Sequence, residues 1–231
     1  MSREFFSGER KEKPKIISRR LISEADLHQY FSRIIAEDKR LKPEQVDEMA
    51  NTLTKKRLSE AADLNRNYFG AFEGNKLVGF GSLVINKVGN YRYGDLDTLE
   101  VDPDYRGKGV ADSLTDARLE FARQNGCERV NTEVDVDNQK GMITKFKNGF
   151  ILYDYDIVLN RFIFTKQLKT EMNFDRKQGP LGELKEISLA DLEGICDLLT
   201  KGYSGIDIKN IGDVDDPDTN KWVLIFESSR K

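Results

Sequence analysis

The chain has 231 residues, 38% hydrophobic and 33% charged, with a formal net charge of −3, so it can bury one ordinary core and offers no global basic field to nucleic acid. No segment approaches the roughly 20 apolar residues of a membrane helix, and the opening "MSREFFSGERKEKPK" lacks the apolar run of a secretory leader; a cytoplasmic protein with no membrane partner is expected. Cys127 and Cys196 stand far apart in unlike contexts, which suits a reducing compartment and fits neither a disulfide framework nor a cysteine-rich zinc site.

Residues 1–14 are charged and aperiodic and read as a tail, followed by a short strand in "KIISRRL". "ISEADLHQYFSRIIAEDKR" places Leu27, Tyr30, Phe31, Ile34 and Ile35 on one helical face, with Ser23 as its N-cap. Pro43 opens a second helix, whose stripe runs through Val46, Met49, Ala50, Leu53, Ala61 and Leu64. "NYFGAFE" and "KLVGFGSLVIN" read as two strands joined at Gly74-Asn75, a tight hairpin signal. After the turn-rich "KVGNYRYG", the alternation in "DLDTLEV" predicts a strand with Asp95, Asp97, Leu99 and Val101 on one face and Glu100 on the other. A helix follows with Val110, Leu114, Ala117 and Phe121 inward and a stop near Asn125-Gly126. "CERVNTEVDVD" is a strand, "NQKGMITKFKN" a short helix with Met142, Ile143 and Phe146 inward, and "GFILYDYDIVLNRFIFTKQL" extended structure. Hairpins flanking one strand–helix–strand crossover predict an α/β (α+β) fold with a mixed, mostly antiparallel central sheet and flanking helices.

The stretch 169–182 is poor in apolar residues, carries Gly179-Pro180, and reads as a linker between a domain at 15–168 and an extension at 183–231. In the extension "ISLADL" matches "ISEADL" of the first helix in five of six places, and "KWVLIFE" sits like "NYFGAFE". Either a common helix start or a truncated second copy accounts for the echo. Leu192, Ile195, Leu198 and Leu199 are expected to bury one helical face against the first domain or a partner subunit, and the segment from Trp222 to Phe226 to pair as a strand.

The most informative stretch is "LEVDPDYRGKGVADSL", residues 99–114, where a strand, a glycine-bracketed basic loop and a helix N-terminus follow one another. Such a junction exposes backbone N–H groups that the helix cannot satisfy, and its dipole favours anions there. Arg106 and Lys108 add charge, while Gly107 and Gly109 allow a tight turn and a close approach of phosphate. It is neither a Walker loop, since Gly109 is followed by Val110, nor a dinucleotide fingerprint, since Asp112 replaces the last glycine. His28 is the one histidine, so no serine or cysteine triad can be assembled.

The stretch resembles motif A of the GNAT superfamily of N-acetyltransferases, Arg/Gln-x-x-Gly-x-Gly/Ala, met by Arg106, Gly109 and Ala111. Val101, Pro103, Arg106, Gly107 and Gly109 match the family's "V-x-P-x-x-R-G-x-G" run. Asn138, Gly149 and Phe150 match the Asn that opens a later short helix and the Gly-Phe that ends it. The resemblance spans roughly 15–168. It implies acetyl-CoA or another acyl-CoA as co-substrate, with its pyrophosphate on the amides of Arg106, Gly107, Lys108, Gly109, Val110 and Ala111, its pantetheine beside Leu99, Glu100 and Val101, and Asn138 nearby. It implies no metal. The acyl carbonyl would accept a backbone N–H near Leu99 or Glu100, and Asp95 or Asp97 stands where the family carries its base. Many members place a Tyr four residues before the Gly of Gly-Phe as the acid for the leaving thiolate. Here that position is Lys145, with Tyr153 and Tyr155 as substitutes. The acceptor implied is a primary amine, on a small molecule or a protein, with oligomeric state open. The competing reading is a non-catalytic acyl-CoA-binding or protein-interaction module.

Overall fold

The structure is a computed structural model that describes residues 16–20, 23–36, 40–63, 66–168, 182–211 and 222–228. The expected tail, the linker apart from Gly182, Leu64 and the side chain of Ala61 lie outside the described residues. The elements run β1 (Ile16–Arg20), α1 (Glu24–Ile35), α2 (Pro43–Asp63), β2 (Arg66–Glu73), β3 (Lys76–Val88), β4 (Tyr91–Val101), a 3₁₀ turn (Pro103–Tyr105), α3 (Val110–Gln124), β5 (Arg129–Asp135), α4 (Gln139–Lys147), β6 (Ile151–Asp156), β7 (Arg161–Gln167), β8 (Leu184–Ser188), α5 (Leu192–Thr200), β9 (Tyr203–Asn210) and β10 (Trp222–Ser228). The ten strands among the described residues share one sheet, ordered β1-β2-β3-β4-β5-β7-β6-β9-β10-β8. β4 and β5, joined through α3, pair parallel, and the other pairs are antiparallel. The mixed, mostly antiparallel sheet is the one the periodicity predicts.

Helix α1 begins as its sequence demands, with a capping box in which the Ser23 hydroxyl accepts the Asp26 N–H and the Asp26 carboxylate accepts the Ser23 N–H, both at 3.1 Å. Leu27, Tyr30 and Phe31 of α1 and Ala50 of α2 pack on Phe80 of β3. Met49 departs from the expected α2 stripe and is 44% exposed. His28 sits between the two helices, its Nε2 3.1 Å from Asp47 Oδ1. A second, larger cluster joins Leu114 of α3, Phe146 of α4 and Phe162 and Phe164 of β7.

Strand β4 starts at Tyr91, earlier than the expected Asp95, because Gly89, at φ +59°, and Asn90 make a tight turn that lets β3 and β4 run on into "KVGNYRYG". The larger departure lies within β4. Leu96 pairs with Leu83 and Leu99 with Gly81, so Asp97 and Thr98 both stand opposite Ser82. This β-bulge inserts one residue and reverses the alternation beyond it. Directly paired residues share a face, so Asp95, opposite Val84, and Glu100, opposite Phe80, lie on the α1/α2 side, while Leu99 and Val101, opposite Gly81 and Gly79, lie on the α3 side. The expected grouping of Asp95 with Leu99 and Val101, and the exclusion of Glu100, are thereby corrected.

Arg118 of α3, fully buried, holds this bulge: its Nη1 donates to the carbonyls of Ser82 (3.2 Å) and Thr98 (3.1 Å), and its Nε to that of Leu114 (3.1 Å). A Cβ at residue 81 would stand 2.9 Å from Nη1, which explains Gly81. The bulge leaves β4 splayed: β4 pairs with β5 from Tyr93 to Leu96 only, and residues 97–101 have no strand on that side among the described residues.

The extension continues the sheet. β9 meets β6 where Leu152 pairs with Gly205, and a Cβ on Gly205 would lie 2.9 Å from that of Leu152, so a glycine is needed for the approach. Ile195 and Leu198 are buried, Leu192 and Leu199 half-buried, all in the cluster that holds Phe146 and Phe164. Trp222 and Phe226 lie on β10. The echo of the first half is partial: β10 pairs with β8 as β2 pairs with β1, but α5 is capped by Asp191, whereas the Ser188 hydroxyl accepts the Ala190 N–H in a turn.

Candidate functional site: two clefts that meet behind a splayed strand

The loop after β4 leads into α3 through Gly107 (φ +73°) and Gly109 (φ +80°), left-handed conformations that favour glycine. A Cβ at either would point into open space, so the room beside the backbone is unclaimed among the described residues. Turn hydrogen bonds use the amides of Arg106, to Pro103 O, and Lys108, to Tyr105 O. The amides of Gly107, Gly109, Val110 and Ala111 have no acceptor among the described residues. This narrows the expected anion cradle to those four. Arg106 lines the cleft and donates from Nε to Val101 O (3.3 Å). Lys108 turns away, its Nζ 4.7 Å from the centre of the Tyr105 ring. From the other side Asp102, almost fully buried, takes ion pairs from Arg33 of α1 and, at 3.8 Å, from Lys76, so the strand end is anchored to α1.

Arg106, Gly107, Gly109, Val110 and Ala111 line a cleft of about 630 Å³ with Tyr30, Leu99, Glu100 and Val101. A second cleft, about 880 Å³, lies over β4, β5 and β7 and includes Asp95, Asp97, Asn131, Arg129 and Tyr153. Leu99, Asn138, Gly141 and Lys145 line both. The clefts therefore meet at the splay, between the free half of β4 and the start of α4. Asn138 caps α4, its Oδ1 accepting the Gly141 N–H at 2.8 Å. A Cβ on residue 141 would stand 2.7 Å from Asn138 Nδ2, so Gly141 keeps the junction open.

Lys145 is 8% exposed at this junction. Among the described residues its side chain forms no ion pair or hydrogen bond, and its Nζ lies 5.7 Å from the centre of the Phe150 ring. Burial, with the Arg118 charge added, lowers its pKa to about 7. In the sequence Lys145 stands out only as a departure from the family's tyrosine, and its one local signal is a lysine within the buried stripe of Met142 and Phe146.

In the second cleft both oxygens of Asp95 are held, Oδ2 by Asn86 Nδ2 (2.5 Å) and Oδ1 by Asn131 Nδ2 (3.2 Å). The Thr165 hydroxyl donates to Asn131 Oδ1 (3.0 Å) and orients that amide. Burial is the main cause that raises the Asp95 pKa above the usual carboxylate range, opposed by the Asn131 bond. Asp97 is half exposed and ion-paired with Arg66. Glu100 faces the α1/α2 side, its carboxylate 3.5 Å from Arg57, and burial raises its pKa. Of the tyrosine substitutes, Tyr153 lines the second cleft and not the first, beside Arg129. Tyr155 lines neither cleft: its ring packs on Phe162 and its hydroxyl donates to Asn160 at 2.6 Å. Among the described residues no cluster of histidine, cysteine or carboxylate side chains could hold a metal, and no helix is long and apolar enough to cross a membrane.

Comparison with known proteins agrees with this geometry. The chain is 33% identical over 94 residues to an N-alpha-acetyltransferase MAK3 of Arabidopsis thaliana, a match covering 38% of this chain and 48% of that one. It is 33% identical over 60 residues to N-alpha-acetyltransferase 30 of Schizosaccharomyces pombe, covering 26% and 40%. The chain thus spans about half the length, or less, of these curated relatives. A solved structure from Desulfovibrio desulfuricans, assigned to the GNAT family of acetyltransferases, superposes with a TM-score of 0.50 at 16% identity, over 67% of this chain and all of the other; at that identity the likeness speaks for the fold alone. The model of the acetyltransferase (GNAT) family matches residues 29–150, from α1 to the threshold of β6. With more than half of its length so matched, the chain belongs to the GNAT family of acetyltransferases.

Proposed function

We propose that the chain transfers an acetyl group from acetyl-CoA to a primary amine, by direct attack within a ternary complex. The observation that carries this reading is the meeting of the two clefts at Leu99 and Lys145, where an activated acyl group from one side and an amine from the other can share a single point. The amides of Gly107, Gly109, Val110 and Ala111 would hold the donor's pyrophosphate, and the unpaired edge of residues 97–101 would receive its pantetheine as an added strand. A backbone N–H near Leu99 or Glu100 polarises the acyl carbonyl. Asp95 accepts the proton of the attacking amine through water, the new C–N bond forms and the C–S bond breaks. Lys145 gives its proton to the departing thiolate, a role for which a lysine with a pKa near 7 is well matched. Both residues then recover their protonation from solvent. Relatives named as N-alpha-acetyltransferases favour a peptide N-terminus as the acceptor.

Titration with CoA tests the donor seat. Gly109→Ala and Gly109→Asp share the same backbone strain at φ +80°, but only the aspartate places a negative charge where pyrophosphate approaches. The alanine variant is expected to bind CoA within about tenfold of the parent, and the aspartate variant to lose binding while staying folded. Equal CoA affinity for both would remove the assignment.

A further inference from the structure

The second cleft contains a cation that the transfer steps do not use. Arg129, the first residue of β5, pairs with Tyr93 of β4. Its guanidinium carbon lies 5.7 Å from the centre of the Tyr91 ring and 5.9 Å from those of Tyr93 and Tyr153. Tyr91 and Tyr93 are themselves stacked, with centroids 6.0 Å apart. The other arginine that lines this cleft is neutralised, since Arg161 binds Asp135 (2.8 Å) and Glu133 (3.2 Å), and the cleft's Asp97 is taken by Arg66. Arg129 pairs with no carboxylate among the described residues, and its Nε is buried without a hydrogen-bond partner. Asp95, two residues along β4 from Tyr93 in the same cleft, has both oxygens hydrogen-bonded, to Asn86 and Asn131. A planar cation held by aromatic rings, with its donors unspent, is pre-organised for an incoming anion.

We infer that Arg129 is the anion-recognition site for the acceptor, and that the preferred acceptor is an amine joined to a carboxylate several bonds away, as in a peptide N-terminus followed closely by Asp or Glu. The spacing decides the class. Tyr93 and Arg129 lie two residues farther from the junction than Asp95, about 7 Å along the strand, so the carboxylate of a free α-amino acid, adjacent to its own amine, cannot reach the guanidinium while the amine stands at the junction. A side-chain carboxylate one or two residues along a peptide can. This inference rests on the reading of the cleft as the acceptor site. It adds to the amine acceptor of that reading a favoured negative charge at the far end.

The test uses the full chain, acetyl-CoA and two short peptides with free N-termini, identical except that one carries Glu and the other Gln at its second and third positions, with a Lys counterpart as a third. The parent is expected to favour the Glu peptide at least about tenfold in kcat/KM, mainly through KM, Arg129→Gln to abolish the preference, and Arg129→Glu to favour a Lys-bearing peptide. Equal use of both peptides by the parent, or a preference that survives Arg129→Gln, overturns the inference. CoA titration of each variant shows separately whether the donor seat is intact. If neither peptide is acetylated, the transfer reading fails, and direct peptide titration still decides: tighter binding of the Glu peptide by the parent than by Arg129→Gln supports the anion site, and equal binding overturns it.

Discussion

Arg118 and Thr98 are joined by a hydrogen bond from a fully buried guanidinium to a bulged backbone carbonyl, 3.1 Å long, and this bond controls where β4 leaves β5. The same guanidinium spans to Ser82 of β3 and back to Leu114 of its own helix, so one side chain ties α3 to both strands at the point of splay. Arg118→Met keeps much of the volume and leaves the Ser82 and Thr98 carbonyls without that donor. It is expected to cost about 2 to 5 kcal/mol of stability and to weaken CoA binding, as read by urea unfolding and titration. A folded variant with unchanged CoA affinity would show that the splay holds without Arg118.

Lys145 makes a pH signature. Its pKa is about 7 in the folded chain and near the ordinary lysine value when unfolded. Between those values the unfolded chain binds a proton that the folded chain has released, so stability rises with pH from about 7 upward; below 7 the buried ammonium carries its full cost. Lys145→Met removes the group. Its stability relative to the parent is expected to be greatest at pH 6 and to shrink by pH 9, measured by urea unfolding. Its kcat should fall about 10²-fold and lose the decline that the parent shows as pH rises through 7, with CoA affinity little changed. An unaltered pH profile would take the acid role from Lys145.

The extension is bound to the main core by apolar packing. Ile195 of α5 is fully buried in the cluster that includes Phe146 and Phe164, so Ile195→Ala is expected to lower stability by about 2 to 5 kcal/mol in one cooperative transition, and a chain ending at residue 170 to lose solubility. Two separate transitions would mean that the extension folds on its own.

What could be read from the residues beforehand, and what could not, divides along physical lines. Gly107 and Gly109 announce themselves because left-handed backbone favours glycine, Ser23 because a helix start needs an acceptor, and the buried stripe of α3 because burial repeats with the helix. The bulge at Asp97 and Thr98 has no such local mark. It depends on Arg118, which lies between Leu114 and Ala122 on the buried face of α3 and acts across the sheet. Period-two alternation therefore put Asp95 on the face of Leu99 and erred from Thr98 onward. Arg129 was equally hidden, because its partners Tyr91 and Tyr93 read as turn, and Tyr153 comes from a strand two positions away in the sheet.

The transfer itself is tested most directly by release of free CoA thiol from acetyl-CoA in the presence of amines, with short N-terminal peptides, a polyamine and an amino sugar as acceptors. The parent is expected to release thiol in an amine-dependent way, fastest with an acidic N-terminal peptide, and Asp95→Asn to reduce the rate by about 10² to 10⁴ with CoA affinity nearly unchanged. A parent chain that binds CoA but releases no thiol with any acceptor would contradict the account and favour a binding module built on the same fold.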